Sequence, residues 1–213
     1  MTKNEIKALI TSGEIYDPSD ADLMTYQLSR IEQVNRFNRT PATPEGLKER
    51  SAILATLFEA IGEGCYIEPP FHANLGCWNV RFGKCVYANF HLTMVDDGII
   101  TVGDYTLIGP NVTIATACHP IHPDLRARGL QYNLPVHIGK NVWIGAGSTI
   151  LPGVTIGDNT VIGAGSLVTK DIPANSVAVG SPCRVLREIG DKDLTHYEGK
   201  PIPKELLDRF KNE

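Results

Sequence analysis

The sequence predicts a mainly β protein whose short strands wind into a parallel β-helix, a solenoid built from stacked coils. The first observation is an aliphatic residue at every sixth position, kept in register over six consecutive hexads, with an earlier run of three. The second is the glycine that follows most of these residues, and the third is a small or β-branched residue at the fifth place of each hexad. The aliphatic positions are Val102, Ile108, Ile114, Ile138, Ile144, Ile150, Ile156, Ile162 and Val168.

This sixfold period fits neither a helix nor a flat antiparallel sheet. A helix needs apolar residues every three or four positions, and an antiparallel strand needs strict alternation. In a solenoid, each hexad forms one strand and one turn, and three hexads complete a triangular coil with the aliphatic residue inside. The small residue that follows is expected to support the corner, where a bulky side chain would clash and left-handed dihedrals are often required. Stacked coils bury each other's faces through parallel strand pairing.

Residues 1–62 follow a helical pattern and are expected to cap the open end of the solenoid. A first helix is predicted from an apolar stripe on one face. A second helix is predicted to start at Thr43-Pro44, a capping residue followed by proline at the first helical position, and to run through Ile61. The stripe of the first helix contains Leu23, Gln27, Leu28, Ile31, Val34, Phe37 and Asn38.

The solenoid is expected over residues 63–186, followed by a tail over residues 187–213 that becomes helical near Pro203. A loop over residues 115–135 interrupts the sixfold period and is too long for a solenoid corner. Long ordered loops in compact domains usually carry function. His119 stands at the root of this loop, where the scaffold fixes its position and a histidine can exchange a proton near neutral pH. It is therefore a candidate acid–base residue.

The composition argues against several other classes of protein. The formal net charge is −4, from 20 basic and 24 acidic residues, which argues against a nucleic-acid partner. The chain starts without an apolar leader and contains no run of 18 apolar residues, so we expect a soluble cytoplasmic protein without a membrane partner. Five cysteines without a C-x-x-C pair indicate reduced thiols, not a disulfide framework or a zinc ribbon. No Gly-rich nucleotide-binding motif occurs.

Beyond the hexads, several segments resemble the galactoside and maltose O-acetyltransferases, a family of hexapeptide-repeat acyltransferases. The resemblance covers roughly residues 5–190. It implies left-handed coils, acetyl-CoA as co-substrate without a metal, a sugar hydroxyl as acceptor, and a homotrimer with sites in the clefts between subunits. The matching segments are Gly13-Glu14-Ile15-Tyr16-Asp17, Tyr87-Ala88-Asn89-Phe90, Val95-Asp96-Asp97, Cys118-His119-Pro120, Asn141-Val142-Trp143-Ile144-Gly145, Pro152-Gly153-Val154-Thr155-Ile156-Gly157 and Gly180-x-Pro182-Cys183-Arg184.

The same resemblance implies roles for individual residues. His119 falls on the general base, which takes the proton of the acceptor hydroxyl while its oxygen attacks the thioester. Direct transfer without an acyl-enzyme needs no nucleophilic serine or cysteine, so Cys118 is a bystander. The backbone N–H of Ala146 falls on the donor to the oxyanion. The acceptor-binding positions map to Asp17, Asn74, Asn89 and Asp97. The positions along acetyl-CoA map to Trp143, Ala146, Ala164, Thr169, Lys170, Arg184 and Arg187, of which the last four suit its phosphate end.

Three alternatives remain open at this stage. The acceptor could be serine, a drug or a nucleotide-linked amino sugar, because acceptors change easily on one scaffold. A zinc carbonic anhydrase shares the solenoid and would need three converging histidines, for which His119, His122 and His137 are available. A non-catalytic solenoid used only for binding or assembly is the third. Without the resemblance, Asp96-Asp97-Gly98 is equally well a simple turn.

Overall fold

The computed structural model describes residues 1–210 and shows short strands throughout the predicted solenoid, with helices mostly before and after it. The helices are α1 (Lys3–Ile10), α2 (Ala21–Asn38), α3 (Pro44–Leu57), α4 (Pro123–Arg126), α5 (Asp191–Thr195) and α6 (Lys204–Phe210). The strands are β1 (Ala60–Ile61), β2 (Tyr66–Ile67), β3 (His72–Ala73), β4 (Val80–Phe82), β5 (Tyr87–Ala88), β6 (Thr93–Val95), β7 (Ile100–Val102), β8 (Leu107–Ile108), β9 (Thr113–Ala115), β10 (Ala117–Cys118), β11 (Tyr132–Asn133), β12 (Val136–Ile138), β13 (Trp143–Ile144), β14 (Thr149–Ile150), β15 (Thr155–Ile156), β16 (Val161–Ile162), β17 (Leu167–Val168), β18 (Ser176–Gly180), β19 (Cys183–Glu188), β20 (His196–Tyr197) and β21 (Lys200–Pro201).

Three parallel sheets form the three sides of the solenoid. The first sheet runs β1-β4-β7-β12-β15, and the third runs β3-β6-β9-β14-β17. The second runs β2-β5-β8-β13-β16-β18, and β19 adds to its end antiparallel to β18. Consecutive coils pair at equivalent hexad positions, so that Ile138 lies opposite Ile156 and Ile144 lies opposite Ile162. The parallel β-helix that the sixfold period predicts is therefore confirmed.

The aliphatic residues of the hexads fill the interior of the coils. Ile108, Ile114, Ile144, Ile150 and Ile162 are all at most 1% exposed and belong to one continuous core. Full burial of such a side chain stabilises the folded state by about 1.5–3 kcal/mol. The stacked column of aliphatic side chains is therefore the main source of stability in the solenoid.

The glycines that directly follow the aliphatic residue of a hexad permit close packing of the coils and do not supply left-handed dihedrals. A Cβ on Gly157 would lie 2.3 Å from the backbone nitrogen of Ala174 in the next coil, which is closer than the two atoms can approach. Left-handed dihedrals occur two residues after the glycine instead, with φ of 53° at Asn141 and 58° at Asn159. Asparagine tolerates this region, and the Asn141 amide donates to Asn159 Oδ1 at 3.0 Å. The expectation that the small residue itself is left-handed is wrong at these corners.

Replacing Gly157 with alanine is expected to destabilise the protein by about 3 kcal/mol, because the backbone of the next coil cannot move without breaking the ladder. Gly190 provides a matched control, since a Cβ there meets nothing within 4 Å and its φ is −135°. Urea unfolding of the two alanine variants measures the difference. Equal midpoints for Gly157→Ala and Gly190→Ala would contradict the close-packing role.

Two helices, α2 and α3, close the first coil of the solenoid, as the sequence predicts. Val34 and Phe37 of α2 and Leu54 and Leu57 of α3 are buried in the same core as the solenoid interior. Thr43 caps α3, as its position before a proline predicts. The cap therefore extends the hydrophobic column of the solenoid beyond its first coil.

The position predicted for the C-terminal end of the second helix is wrong. Helix α3 ends at Leu57, and Ala60 and Ile61 form β1, which pairs with β4. Pairing with the next coil satisfies the backbone groups of these residues and overrides their helical spacing. Helix α1 has no counterpart in the sequence prediction, and its residues Ile6 and Ile10 bury themselves in a second, smaller cluster.

Extra residues interrupt the repeat at one edge of the solenoid, where the third sheet passes to the first. They occupy residues 74–79, 96–99 and 116–135, each between a third-sheet strand and the following first-sheet strand. The first two of these insertions make the segment 65–100 look irregular in the sequence, although it contributes to two complete coils. We call this the inserted edge, and the other two edges keep the six-residue step.

The tail after β19 contains α5, the antiparallel pair β20 and β21, and α6, which agrees with the helix predicted near Pro203. Residues 211–213 of the predicted tail lie outside the described residues. All five cysteines are free. In the described part of the chain, no helix combines the length and the apolar character needed to cross a membrane.

Candidate functional site

A hairpin over residues 116–135 rises from the inserted edge, with β10 and β11 paired antiparallel. Thr116 at its root is fully buried. Its Oγ1 donates to the carbonyl of Val95 at 2.6 Å and accepts from the backbone N–H of Gly98 at 2.7 Å. These bonds hold the root of the hairpin against the turn that carries Asp97.

His119 is oriented by its own hairpin. Its Nδ1 lies 2.9 Å from the carbonyl oxygen of Leu130. A carbonyl oxygen can only accept, so Nδ1 carries the hydrogen and Nε2 keeps its lone pair. The side chain is exposed, so Nε2 is open to a bound molecule and suits a general base. Burial raises the pKa of the neighbouring Cys118 thiol, which keeps it protonated and poorly nucleophilic.

Asp97 lies at the inserted edge with only 8% of its surface exposed, and its carboxylate receives two side-chain amides. Asn74 Nδ2 lies 3.1 Å from Oδ1 and 2.9 Å from Oδ2, and Gln131 Nε2 lies 3.1 Å from Oδ1. Asn74 is held in turn by Gln27, whose Nε2 donates to Asn74 Oδ1 at 2.7 Å. Two of the predicted acceptor-binding residues, Asn74 and Asp97, are thus in direct contact.

Tyr16, Gln131 and Asn133 complete a buried polar cluster around Asp97 that the sequence prediction missed. Gln131 Nε2 lies 2.7 Å from Tyr16 Oη, and Asn133 Nδ2 donates to Tyr16 Oη at 3.1 Å. Burial raises the pKa of Tyr16 to about 12, which keeps its hydroxyl protonated. A signal was present, because Gln131 and Asn133 stand at alternate positions and therefore on one face of a strand. Nothing local indicated which distant segment that face would meet.

Asp96 adjoins this cluster but is completely buried. Its Oδ1 accepts from the backbone N–H of Leu75 at 2.8 Å, whereas its Oδ2 has no partner within the described residues. Asn79 Oδ1 is likewise buried without a partner there, and Asn79 Nδ2 lies 3.3 Å from the backbone carbonyl of Asp96. Burial, aided by the charge of Asp97, raises the pKa of Asp96 to about 7. A proton on Asp96 Oδ2 would remove the charge from this buried carboxyl group and give it a hydrogen to donate.

The other two predicted acceptor-binding residues, Asp17 and Asn89, do not join the Asp97 cluster. Asp17 is exposed, and its Oδ1 accepts from the backbone N–H of Ser19 at 2.9 Å, a contact that lowers the pKa of Asp17. Asn89 follows β5 at the edge between the second and third sheets, and its Oδ1 accepts from the backbone N–H of Phe90 at 2.8 Å.

Ala146 and Ala164, two of the predicted acetyl-CoA contacts, stack on successive coils at that same edge between the second and third sheets. The backbone N–H of Gly165 donates to the carbonyl of Ala146 at 2.8 Å, which joins the two turns. Both alanines are exposed, and neither of their backbone N–H groups donates to another group in residues 1–210. Trp143 precedes them on β13 and is 56% exposed. Small side chains leave this backbone open to a long, thin ligand.

The four predicted phosphate contacts lie on two different elements. Thr169 and Lys170 follow β17 of the third sheet, whereas Arg184 and Arg187 lie on β19 at the end of the second. Arg187 is already paired, since its two terminal nitrogens each lie 2.7 Å from a carboxylate oxygen of Asp193. This contact lowers the pKa of Asp193 to about 2.

One chain therefore presents two separate groups of candidate residues. The inserted edge carries His119 with Asn74 and Asp97, and the edge between the second and third sheets carries Asn89 and Ala146. The third sheet separates the two edges. No hydrogen bond joins the two groups within residues 1–210.

The remaining histidines of the hairpin region have separate partners. His122 caps α4 by accepting from the backbone N–H of Asp124, and His137 Nδ1 lies 2.8 Å from Thr101 Oγ1. In the part of the chain that the structure describes, no three His, Cys, Asp or Glu side chains are grouped closely enough to hold a metal ion.

Two family models match the chain. The bacterial transferase hexapeptide model, described as six repeats, matches residues 135–170. The maltose acetyltransferase hexapeptide capping motif matches residues 10–62. The first match falls on the regular coils after the hairpin, and the second falls on the helical cap.

Known proteins are similar over nearly the whole length. The galactoside O-acetyltransferase of Lactococcus lactis subsp. lactis (strain IL1403) is 51% identical over 212 residues, which cover 99% of this chain and 100% of that protein. A galactoside acetyltransferase solved in complex with coenzyme A has a TM-score of 0.86 at 42% identity and covers 95% of this chain and 99% of its own. A maltose O-acetyltransferase from Clostridium difficile 630 has a TM-score of 0.79 at 40% identity, covering 90% and 99%.

Proposed function

The chain belongs to the galactoside and maltose O-acetyltransferase family of hexapeptide-repeat enzymes, and on this premise we propose that it transfers the acetyl group of acetyl-CoA to a sugar hydroxyl. The acceptor class is a galactoside, maltose or glucose. The observation that carries the proposal is the open Nε2 of His119, on the same hairpin that reaches the Asp97 carboxylate. A base and a carboxylate that can bind a hydroxyl are two of the groups that such a transfer uses.

His119 acts as the general base. The Leu130 carbonyl holds Nδ1–H, so Nε2 takes the proton from the acceptor hydroxyl as that oxygen attacks the thioester carbonyl carbon. The same bond stabilises the imidazolium that forms, in the way an orienting partner does for other catalytic histidines. When the C–S bond breaks, the departing thiolate takes the proton back from Nε2, and His119 returns to its starting state.

The oxyanion that forms on the carbonyl oxygen needs a donor already in place. The backbone N–H of Ala146 is exposed and donates to no group within residues 1–210, so it can serve without breaking another bond. Losing one such donor typically costs about a hundredfold or more in kcat. Cys118 takes no part, because its thiol stays protonated.

Asp97 binds the acceptor sugar by accepting a hydrogen bond from one of its hydroxyl groups. Asn74 holds the carboxylate, and Asp17 and Asn89 supply further contacts to the acceptor from separate segments. A buried carboxylate strongly prefers a partner that donates, so a sugar that lacks the matching hydroxyl binds poorly. This selectivity favours polyhydroxyl acceptors over apolar ones.

Each complete site is made by two subunits of a homotrimer. The His119 group and the Ala146 group occupy different edges of one chain, so both can contact one acetyl-CoA if they belong to neighbouring copies. Trp143, Ala146 and Ala164 line its arm, and Thr169, Lys170 and Arg184 bind its phosphates. Arg187 joins them only by exchanging Asp193 for a phosphate. The five free thiols suit the reducing cytoplasm, where we place the protein.

The test is to incubate the purified protein with acetyl-CoA and a panel of galactosides, glucose, maltose, serine and chloramphenicol, and to follow products by mass spectrometry. We expect acetylation of a sugar and release of one CoA per product. Transfer to serine or chloramphenicol but to no sugar would show that the acceptor is not a sugar. Stoichiometric zinc, carbonic anhydrase activity and no acetyl transfer would overturn the proposal. If neither activity is found, the protein is a binding or assembly module and the proposal fails.

A further inference from the structure

Gln131 is a buried side chain that contacts three separate parts of the molecule. It is 8% exposed, and its Nε2 lies within hydrogen-bonding distance of Tyr16 in the N-terminal segment, Asp97 on the second coil and Asn133 on the hairpin. All three neighbours are oxygen atoms. The amide nitrogen must therefore face them, because the Asp97 and Asn133 oxygens can only accept and an amide oxygen there would have no donor from either.

The carboxylate of Asp97 is almost fully engaged by these amides. A carboxylate offers about four lone-pair directions. Asn74 occupies one on each oxygen, and Gln131 occupies the second on Oδ1. The direction that remains is on Oδ2. Asn74 contacts both oxygens, whereas Gln131 contacts only Oδ1. The contact with Gln131 therefore leaves Oδ2 available to an incoming hydroxyl.

The backbone around Gln131 extends the same connection to the base and to the N-terminal segment. The carbonyl of Leu130 accepts the Nδ1–H of His119 at 2.9 Å. The backbone N–H of Gln131 donates to the carbonyl of Tyr16 at 3.0 Å, and the backbone N–H of Tyr16 donates to the carbonyl of Gln131 at 2.8 Å. Two consecutive residues thus touch the proposed base, the proposed acceptor carboxylate and the segment that leads into Asp17.

We infer that Gln131 is a positioning residue of the acceptor site. Its amide holds the Asp97 carboxylate in the orientation that receives the acceptor hydroxyl, and its strand keeps His119 in register with that carboxylate. The inference rests on the proposed function and adds to it the residue that sets acceptor geometry. The expected effect of this one side chain on the rate is large, because a misplacement of about 1 Å in a reacting group can lower the rate about a hundredfold.

The first test replaces Gln131 with leucine, which keeps the size and removes the donor. The KM for the sugar should rise about tenfold or more, as expected when a hydrogen bond to a charged group is lost. The KM for acetyl-CoA and the slow hydrolysis of acetyl-CoA by water should stay within about twofold, because neither uses Asp97. Tyr132→Phe, on the same strand with its ring half-buried, is the control and should leave the sugar KM unchanged.

Gln131→Glu gives a pH signature that a purely structural role would not produce. At pH 8 the new carboxylate repels Asp97 and provides no donor, so the sugar kcat/KM should fall about a hundredfold. Once protonated, the introduced carboxyl group can donate as the amide does, so the ratio of variant to wild-type activity should recover severalfold as the pH is lowered to 6. A ratio independent of pH would overturn the inference.

A double-mutant cycle with Asp97→Asn tests whether Gln131 acts through Asp97. The double variant Asp97→Asn/Gln131→Leu should lose no more sugar transfer than Asp97→Asn alone. Additive losses would overturn the inference. Crystal structures of the wild type and Gln131→Leu give a readout without activity, in which the Asp97 carboxylate should turn in the variant and an unmoved carboxylate would contradict the role. If the wild type acetylates no sugar, the proposed function fails, and the carboxylate orientation still decides the positioning role.

Discussion

Replacing His119 with alanine is expected to lower kcat for acetyl transfer by about 10²–10⁴-fold, the range that a positioned general base supplies. The KM for acetyl-CoA should change little, because its proposed contacts lie on a different edge of the solenoid. His119→Asn is the sharper variant, since its side-chain amide can still donate to the Leu130 carbonyl but cannot accept the proton. Steady-state rates from mass spectrometry, with sugar and acetyl-CoA varied separately, give both parameters.

Two neighbouring substitutions serve as controls for this prediction. His122→Ala removes an exposed imidazole from the same hairpin, and Cys118→Ala removes the adjacent thiol. Both should retain activity within about twofold, because neither group takes part in the transfer. A loss below about tenfold in His119→Ala would contradict the general-base role. A large loss in Cys118→Ala would indicate a covalent acyl-enzyme in place of direct transfer.

Replacing Asp96 with asparagine is expected to stabilise the protein at pH 8 by about 2–4 kcal/mol. The pKa of Asp96 is raised by burial from 3.8 to about 7, and a difference of this size corresponds to about 4 kcal/mol. Asparagine has the same shape, and its Oδ1 can accept from the backbone N–H of Leu75 without placing a charge in the buried site. The wild type, in contrast, must take up a proton before its Asp96 side chain is uncharged.

The pH dependence of this difference follows from linkage. In the unfolded chain Asp96 ionises near pH 3.8, while in the folded chain it stays protonated up to about pH 7. The folded state therefore binds more protons in this window, and wild-type stability falls as the pH rises from about 4 to about 7. Above that pH the loss is constant. The advantage of Asp96→Asn should be absent near pH 4, grow through this window and then level off.

Urea unfolding at a series of pH values measures this prediction, at one fixed protein concentration. Asp124→Asn, at an exposed site on the hairpin, should follow the wild type at every pH. At pH 4, where Asp96 is protonated in the folded chain, Asp96→Ala should be less stable than the wild type, because it leaves the Leu75 N–H without a partner. An Asp96→Asn variant that is less stable than the wild type at pH 8 would show that Asp96 is buried as a carboxylate.

Sequence periodicity determined the solenoid and its core because each hexad residue meets its counterpart in the next coil. Ile144, for example, faces Ile162 and Ile108, and its environment repeats along the chain. The same periodicity predicts the position of the hairpin, because the repeat is interrupted there, and it places His119 at the root of this hairpin. It failed at the end of α3, where the backbone pairing of Ile61 with the next coil overrode a helical spacing of apolar residues.

The family resemblance predicts which positions bind the acceptor, but not how their side chains are held. Asn74 and Asp97 are in contact, whereas Asn89 lies at a different edge, and Arg187 is engaged by Asp193. These arrangements depend on side-chain contacts whose geometry a list of motifs does not contain. Asp96 and Asn79 are a further example, since each has a side-chain oxygen without a partner among residues 1–210 and neither residue looks unusual in the sequence.

The sequence by itself determined the fold and the buried column, because a repeat creates the same environment at regular intervals. It also predicts His119 as the candidate for proton transfer, from its place where the repeat breaks. Only the tertiary structure decided which nitrogen of His119 is free, and that all insertions fall on one edge. It alone brought Gln131 to Tyr16, 115 positions away, and to Asp97, 34 positions away. Contacts between such distant residues depend on where the coils place each segment. The spacing of residues within one segment does not determine that placement.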